Sequence, residues 1–83
     1  MTKETGLERE LAVKLGNRLR ELRIQADYTQ EAFAERLGIS YKHYQDIETA
    51  RHSNPTIKTL YGASKALGMA LPDLIEGVFP PPN

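Results

Sequence analysis

Thr29-Gln30-Glu31-Ala32-Phe33-Ala34-Glu35-Arg36-Leu37-Gly38-Ile39-Ser40-Tyr41-Lys42-His43-Tyr44-Gln45-Asp46-Ile47-Glu48 is the stretch whose reading decides the fold. Thr29 suits a helix N-cap, and Glu31 in the first turn suits the helix dipole. Phe33 and Leu37 then fall four apart on one face, with Ala34 beside them. Gly38 follows directly, as expected of a residue ending a helix in the left-handed conformation. Only Ile39 intervenes before Ser40, a second N-cap, so another helix starts after a turn of about three residues. That helix carries Tyr44 and Ile47 on its inner face. Two helices crossing steeply need a small residue at their contact and a turn residue tolerating positive φ, which Ala34 and Gly38 supply. Phe33, Leu37, Ile39, Tyr44 and Ile47 would close the wedge. A helix held this way projects its N-terminal residues outward, the geometry used to enter a major groove.

Upstream, Leu7, Leu11, Leu15, Leu19 and Leu22 form the stripe of an amphipathic helix that ends near Asp27-Tyr28-Thr29. Downstream, Arg51 to Pro55 reads as a polar loop, and Asn54 or Thr56 can cap a fourth helix running to about Leu67. Its inward residues are expected to be Ile57, Leu60, Ala63, Ser64 and Leu67. Gly62 weakens that helix by roughly 1 kcal/mol relative to Ala. A short fifth helix is predicted from Leu71 to Glu76, stopped by Gly77. The tail Phe79-Pro80-Pro81-Pro82-Asn83 cannot be helical. With no strand pattern or repeat, the expected fold class is all-α, a compact five-helix bundle in which helices 2 and 3 form a helix-turn-helix. The expected organisation is a flexible arm over 1–6, the domain over 7–77 and a Pro-rich tail over 78–83.

Eighty-three residues make one domain, and without Cys its stability must come from apolar packing. No apolar run approaches the roughly 20 residues needed to span a bilayer. The polar start, Met1 to Gly6, does not look like a secretory signal. A cytoplasmic location is therefore expected. Net charge is zero, whereas nucleic-acid-binding domains are usually basic. The distribution softens the objection: residues 14–65 carry nine basic and six acidic residues.

From Leu15 to Leu74 the sequence resembles the Cro and phage-repressor class of helix-turn-helix domains, the XRE-like family. The resemblance lies in Leu15-Gly16-Asn17-Arg18-Leu19-Arg20-Glu21-Leu22-Arg23, in Thr29 through Ser40, in Asp46-Ile47-Glu48, in Asn54-Pro55-Thr56-Ile57-Lys58-Thr59-Leu60 and in Lys65-Ala66-Leu67-Gly68. It implies a bundle of the lambda-repressor-like DNA-binding type. By position, it implies that Gln30 contacts a phosphate or supports the recognition helix. Tyr41, Lys42, Gln45 and Asp46 match positions that face bases, with His43 among them. Arg51, His52, Ser53 and Asn54 match a loop that touches the sugar-phosphate backbone. Arg23 and Glu48 match a largely buried structural salt bridge. Four residues depart from the pattern: Tyr44 replaces an aliphatic residue, Ala50 stands where Gly or Asn is common, Asp27 where Gly is common, and Ala70 replaces a Ser cap.

Each of these residues also has an ordinary reading. Lys42 can bond guanine O6 and N7, meet a phosphate, or sit solvated on an exposed helix. Tyr41 can touch a sugar or thymine methyl, or pack half-buried on the preceding helix. Gln45 suits adenine but would look the same merely exposed. Asp46 can accept from cytosine N4, or pair with Lys42 at i,i+4. His43 and His52 stand nine positions apart, with no Cys and no acidic cluster at ligand spacing, so neither a metal nor a cofactor is expected. The charged run from Arg18 to Arg23 reads as a solvated face apart from Arg23. With no nucleophile set and no Gly-rich phosphate loop, an enzyme is not expected. The function implied is a sequence-specific transcriptional regulator that binds double-stranded DNA at a palindromic operator. It would act as a homodimer through the C-terminal residues Leu71, Leu74, Ile75, Val78 and Phe79. The alternatives are an interaction module that has lost DNA binding, or an antitoxin or restriction-modification controller.

Overall fold

The computed structural model describes residues 6–51 and 55–82. Its first helix, α1, runs Gly6–Gln25 and buries Ala12, Leu15, Leu19 and Leu22. The leucine stripe extends beyond the core at its start, since Leu7 is exposed and Leu11 half-buried. Asp27, at φ 62°, turns the chain out of α1, and the Tyr28 N–H bonds back to the Arg23 carbonyl at 3.1 Å. An Asp tolerates this left-handed conformation better than most residues with a Cβ.

Helix α2 is Gln30–Leu37, and Thr29 Oγ1 accepts from the Ala32 N–H at 3.1 Å. Gly38 ends it at φ 74°, with the Ile39 N–H returning to the Ala34 carbonyl at 3.1 Å. Helix α3 is Tyr41–Glu48, its start held by Ser40 Oγ accepting from the His43 N–H at 3.0 Å. Both caps and the intervening Gly stand where the sequence places them. Tyr44 and Ile47 are buried between the helices, and the Tyr44 ring meets Phe33 edge-on at 5.3 Å.

Helix α4 is Ile57–Leu67, capped by Thr56, whose Oγ1 accepts from the Thr59 N–H at 3.1 Å. Asn54, the other predicted cap, lies outside the described residues. Ala63 and Ser64 face inward as expected, and Leu60 and Leu67 are partly covered. Ile57 is a correction: it is 81% exposed, because the covered side of the first turn of α4 is the one that carries Thr59 and Leu60. Thr59, not expected inside, is buried.

Helix α5 is a single turn, Leu71–Leu74, shorter than the predicted span to Glu76. Ala70 gives it no side-chain cap, and after Leu74 the chain continues as turns, with the Val78 N–H bonding to the Ile75 carbonyl at 3.0 Å. Gly77, at φ 80°, turns Val78 into the core, where it packs with Leu74. Two residues expected on a dimer surface, Leu74 and Val78, are therefore fully committed to their own core. Of that set, Leu71 and Ile75 are partly buried and Phe79 is exposed. Of the arm expected over 1–6, Gly6 already belongs to α1, and residues 1–5 lie outside the described residues.

α2 packs against both α3 and α4, while α1 lies along α3. At the α1–α3 contact a Cβ on Gly16 would stand 2.6 Å from the Glu48 carbonyl oxygen and 2.7 Å from that of Ile47. Only Gly permits this approach. Across the bundle, Arg18 donates to the carbonyls of Leu74 at 3.1 Å and Asp73 at 2.8 Å. It clamps the end of α5 and is not a solvated charge. Among the described residues no helix is long and apolar enough to cross a membrane.

Candidate nucleic-acid interface

With Tyr44 and Ile47 turned inward, α3 presents Tyr41, Lys42 and His43 on its exposed side. Lys42 is long and exposed, and its Nζ donates to Asp46 Oδ1 at 3.0 Å, one turn further on. Asp46 is buried, so its carboxylate stands behind Lys42 more than in front of it. Of the two readings of Asp46, the structure displays the intramolecular pair. Gln45 is half-buried, and its backbone carbonyl accepts from Thr49 Oγ1 at 2.8 Å.

After α3 the chain turns through Ala50, at φ 60°. This is the strained conformation that a residue in place of Gly or Asn would have to adopt. The Ala50 N–H bonds to the Ile47 carbonyl at 3.2 Å, and two further contacts hold the turn. The Arg51 N–H donates to the Asp46 carbonyl at 2.8 Å, and the Arg9 guanidinium donates to the Ala50 carbonyl. Arg51 emerges exposed beside the C-terminus of α3. His52, Ser53 and Asn54 lie outside the described residues.

Beneath this surface lies the ion pair expected of Arg23 and Glu48. It is bidentate, with Nε to Oε2 at 2.6 Å and Nη2 to Oε1 at 3.2 Å. Gln30 Nε2 also donates to Oε1, at 3.0 Å, and the Tyr44 hydroxyl donates to Oε2. Burial alone would push the Glu48 carboxyl up. The bonds from Arg23, Tyr44 and Gln30, with the Arg23 charge, outweigh it and hold Glu48 below the usual carboxylate range. The Glu48 bond in turn raises Arg23 further above its ordinary value. Burial, then the neighbouring Glu48, pushes the Tyr44 hydroxyl well up, so it stays a neutral donor.

The structure thus exposes Tyr41, Lys42 and His43 around the first turn of α3, with Arg51 just beyond the far end of that helix. It draws Asp46, and part of Gln30, inward. Sequence reasoning missed Gly16, Arg18 and the Tyr44 and Gln30 bonds to Glu48. Gly16 did leave a signal, because a Gly in mid-helix costs about 1 kcal/mol unless close packing requires it. Among the described residues there is no group of three or more His, Cys, Asp or Glu that could hold a metal ion.

This geometry, a capped helix wedged by a Gly turn with its first three residues exposed, defines a helix-turn-helix protein. The family profile described as helix-turn-helix matches residues 19–74, and the chain belongs to that family, of the XRE type and populated by transcriptional regulators. It is 36% identical to the HTH-type transcriptional regulator DdrOP3 of Deinococcus deserti over 66 residues, covering 80% of this chain and 50% of that protein. The chain therefore spans about half the length of that relative. Its fold is similar to the clp gene regulator ClgR from Corynebacterium glutamicum (TM-score 0.76, 25% identity), over 82% of this chain and 71% of the other. It is also similar to SinR, a master regulator for biofilm formation, in a crystal structure with DNA (TM-score 0.69, 26% identity), over 75% of this chain and 98% of the other.

Proposed function

We propose that this chain is a sequence-specific DNA-binding transcriptional regulator whose α3 enters the major groove of a palindromic operator. One observation carries the reading: α3 is fixed from behind by Tyr44, Ile47 and the Arg23–Glu48 pair while Tyr41, Lys42 and His43 face outward. SinR, similar in fold, is seen in complex with DNA. Lys42 reads a base edge or a phosphate at the N-terminal end of α3, and Asp46 orients it. Gln45 adds an amide within the same turn. Arg51 meets the backbone, and His52, Ser53 and Asn54 continue that contact by position. Gln30 meets a phosphate at the start of α2.

A neutral chain of this size gains little from counterion release, which dominates non-specific affinity. Two copies on a two-fold site place their recognition helices about 34–36 Å apart, one DNA turn, and double the contacts. A homodimer on DNA is thus part of the proposal. Its apolar surface is reduced to Leu71, Ile75 and Phe79, since Leu74 and Val78 belong to the core. Selection from random duplex DNA tests the reading, and the expected result is a palindromic consensus. No enrichment even at low salt would overturn it in favour of a protein-interaction module. Sedimentation on the selected duplex should show two chains per site; one chain per site removes the dimer.

A further inference from the structure

Four donors converge on one buried carboxylate. Glu48 Oε2 accepts from Arg23 Nε and the Tyr44 hydroxyl, and Oε1 accepts from Arg23 Nη2 and Gln30 Nε2. The Glu48 side chain is only 2% exposed, so these protein donors stand in place of water. An ionised carboxylate only accepts, so Gln30 must turn its amide nitrogen toward Glu48. That choice fixes the amide plane and leaves one N–H and Oε1 of Gln30 for other partners. Gln30 is half-buried at the first position of α2, reaching both the core carboxylate and the surface.

Tyr44 is the unusual member of the cluster. An aliphatic side chain would fill its place in the core, yet it would leave Oε2 to Arg23 Nε alone. The carboxylate could then pivot on the guanidinium and release Gln30. The Tyr44 ring is fully buried and edge-on to Phe33, so it cannot touch a ligand itself.

Resting on the DNA-binding reading above, we infer that Tyr44 is a positioning residue. Its hydroxyl anchors Glu48, and Glu48 holds the Gln30 amide so that its remaining N–H is aimed at a DNA phosphate. The same link joins the start of α2 to the end of α3, so the phosphate contact and the recognition helix move as one unit.

The test is a double-mutant cycle of Tyr44→Phe and Gln30→Ala, measured as Kd for the selected duplex at a temperature where each variant is folded. Tyr44→Phe keeps the ring and should weaken binding about fivefold in the parent background, but less than twofold when Gln30 is already Ala. Additive losses overturn the role while leaving DNA binding intact. A parent chain that selects no duplex overturns the DNA-binding reading, and this role with it.

A second measurement needs no variant. In the parent, the Gln30 side-chain amide resonances should shift with the same midpoint as the Glu48 carboxyl carbon as pH is lowered. In Tyr44→Phe they should already be displaced at neutral pH. Should Tyr44→Phe fail to fold, the parent titration decides through the Tyr44 Cζ resonance, which should share that midpoint; a Tyr44 resonance that ignores it overturns the anchoring role. A Gln30 amide that ignores the Glu48 titration overturns the coupling.

Discussion

Lys42 and Arg51 are both exposed cations on the α3 side of the molecule, yet they are placed for different work. Lys42 leaves the helix near its N-terminus with Asp46 behind it, where a side chain reaches base edges. Arg51 follows the turn at Ala50, where a side chain reaches phosphates. Lys42→Ala should relax sequence preference at one position, worth about 1–3 kcal/mol of discrimination, measured by comparing variant duplexes. Arg51→Ala should instead weaken all duplexes about equally and lower the salt slope by about one. Identical behaviour of the two variants would refute this division. The sequence displayed both residues, but not that Asp46 would be buried behind Lys42. Spacing at i,i+4 allows the pair without choosing it over a base contact, and burial makes the choice. Arg18 looks solvated in the sequence for a similar reason: its partners are backbone carbonyls of α5, 55 and 56 positions away, which no local pattern reveals.

At the scale of the helices, the two interior glycines make opposite predictions. A Cβ on Gly16 would meet backbone oxygens of α3 at 2.6 Å and 2.7 Å, and backbone cannot step aside as a side chain can. Gly16→Ala should push α1 off α3 and destabilise by about 1–3 kcal/mol in urea unfolding. A Cβ on Gly62 would lie 3.6 Å from Leu37 Cα, an ordinary contact. Gly62→Ala should therefore gain up to about 1 kcal/mol from helix propensity. Equal effects of the two substitutions would contradict the packing described. The helices themselves were legible because caps are local: Thr29, Gly38, Ser40 and Gly68 each act where they stand in the sequence. What failed at this scale was periodicity near helix ends. Ile57 stands at the edge of the apolar stripe, and in its turn the buried side falls on Thr59 instead. Helix α5 stops early because its apolar residues continue inward through turns at Ile75 and Gly77 and not along a helix.

For the whole molecule, the buried Arg23–Glu48 pair ties α1 to α3 and sets how stability responds to acid. Glu48 is held below its ordinary value of 4.5, so the folded state binds its proton less readily than the unfolded chain does. Its contribution is complete above that ordinary value and is lost as pH falls through the lowered one. Thermal unfolding followed between pH 7 and pH 3 should show this loss. In Glu48→Gln the slope from this group should vanish, and the whole curve should lie lower because Arg23 is then buried without a counter-charge. Removing either partner outright should cost about 3–5 kcal/mol. The pair was legible from the family resemblance, while its Tyr44 and Gln30 partners depend on how three helices meet. The DNA-facing role of α3 is the central claim, and titration of the isotope-labelled chain with a selected duplex tests it most directly. The backbone amides of Tyr41, Lys42, His43, Gln45 and Arg51 should shift most, followed by Gln30. Shifts confined to α4 and the C-terminal turns, or absent altogether, would contradict it.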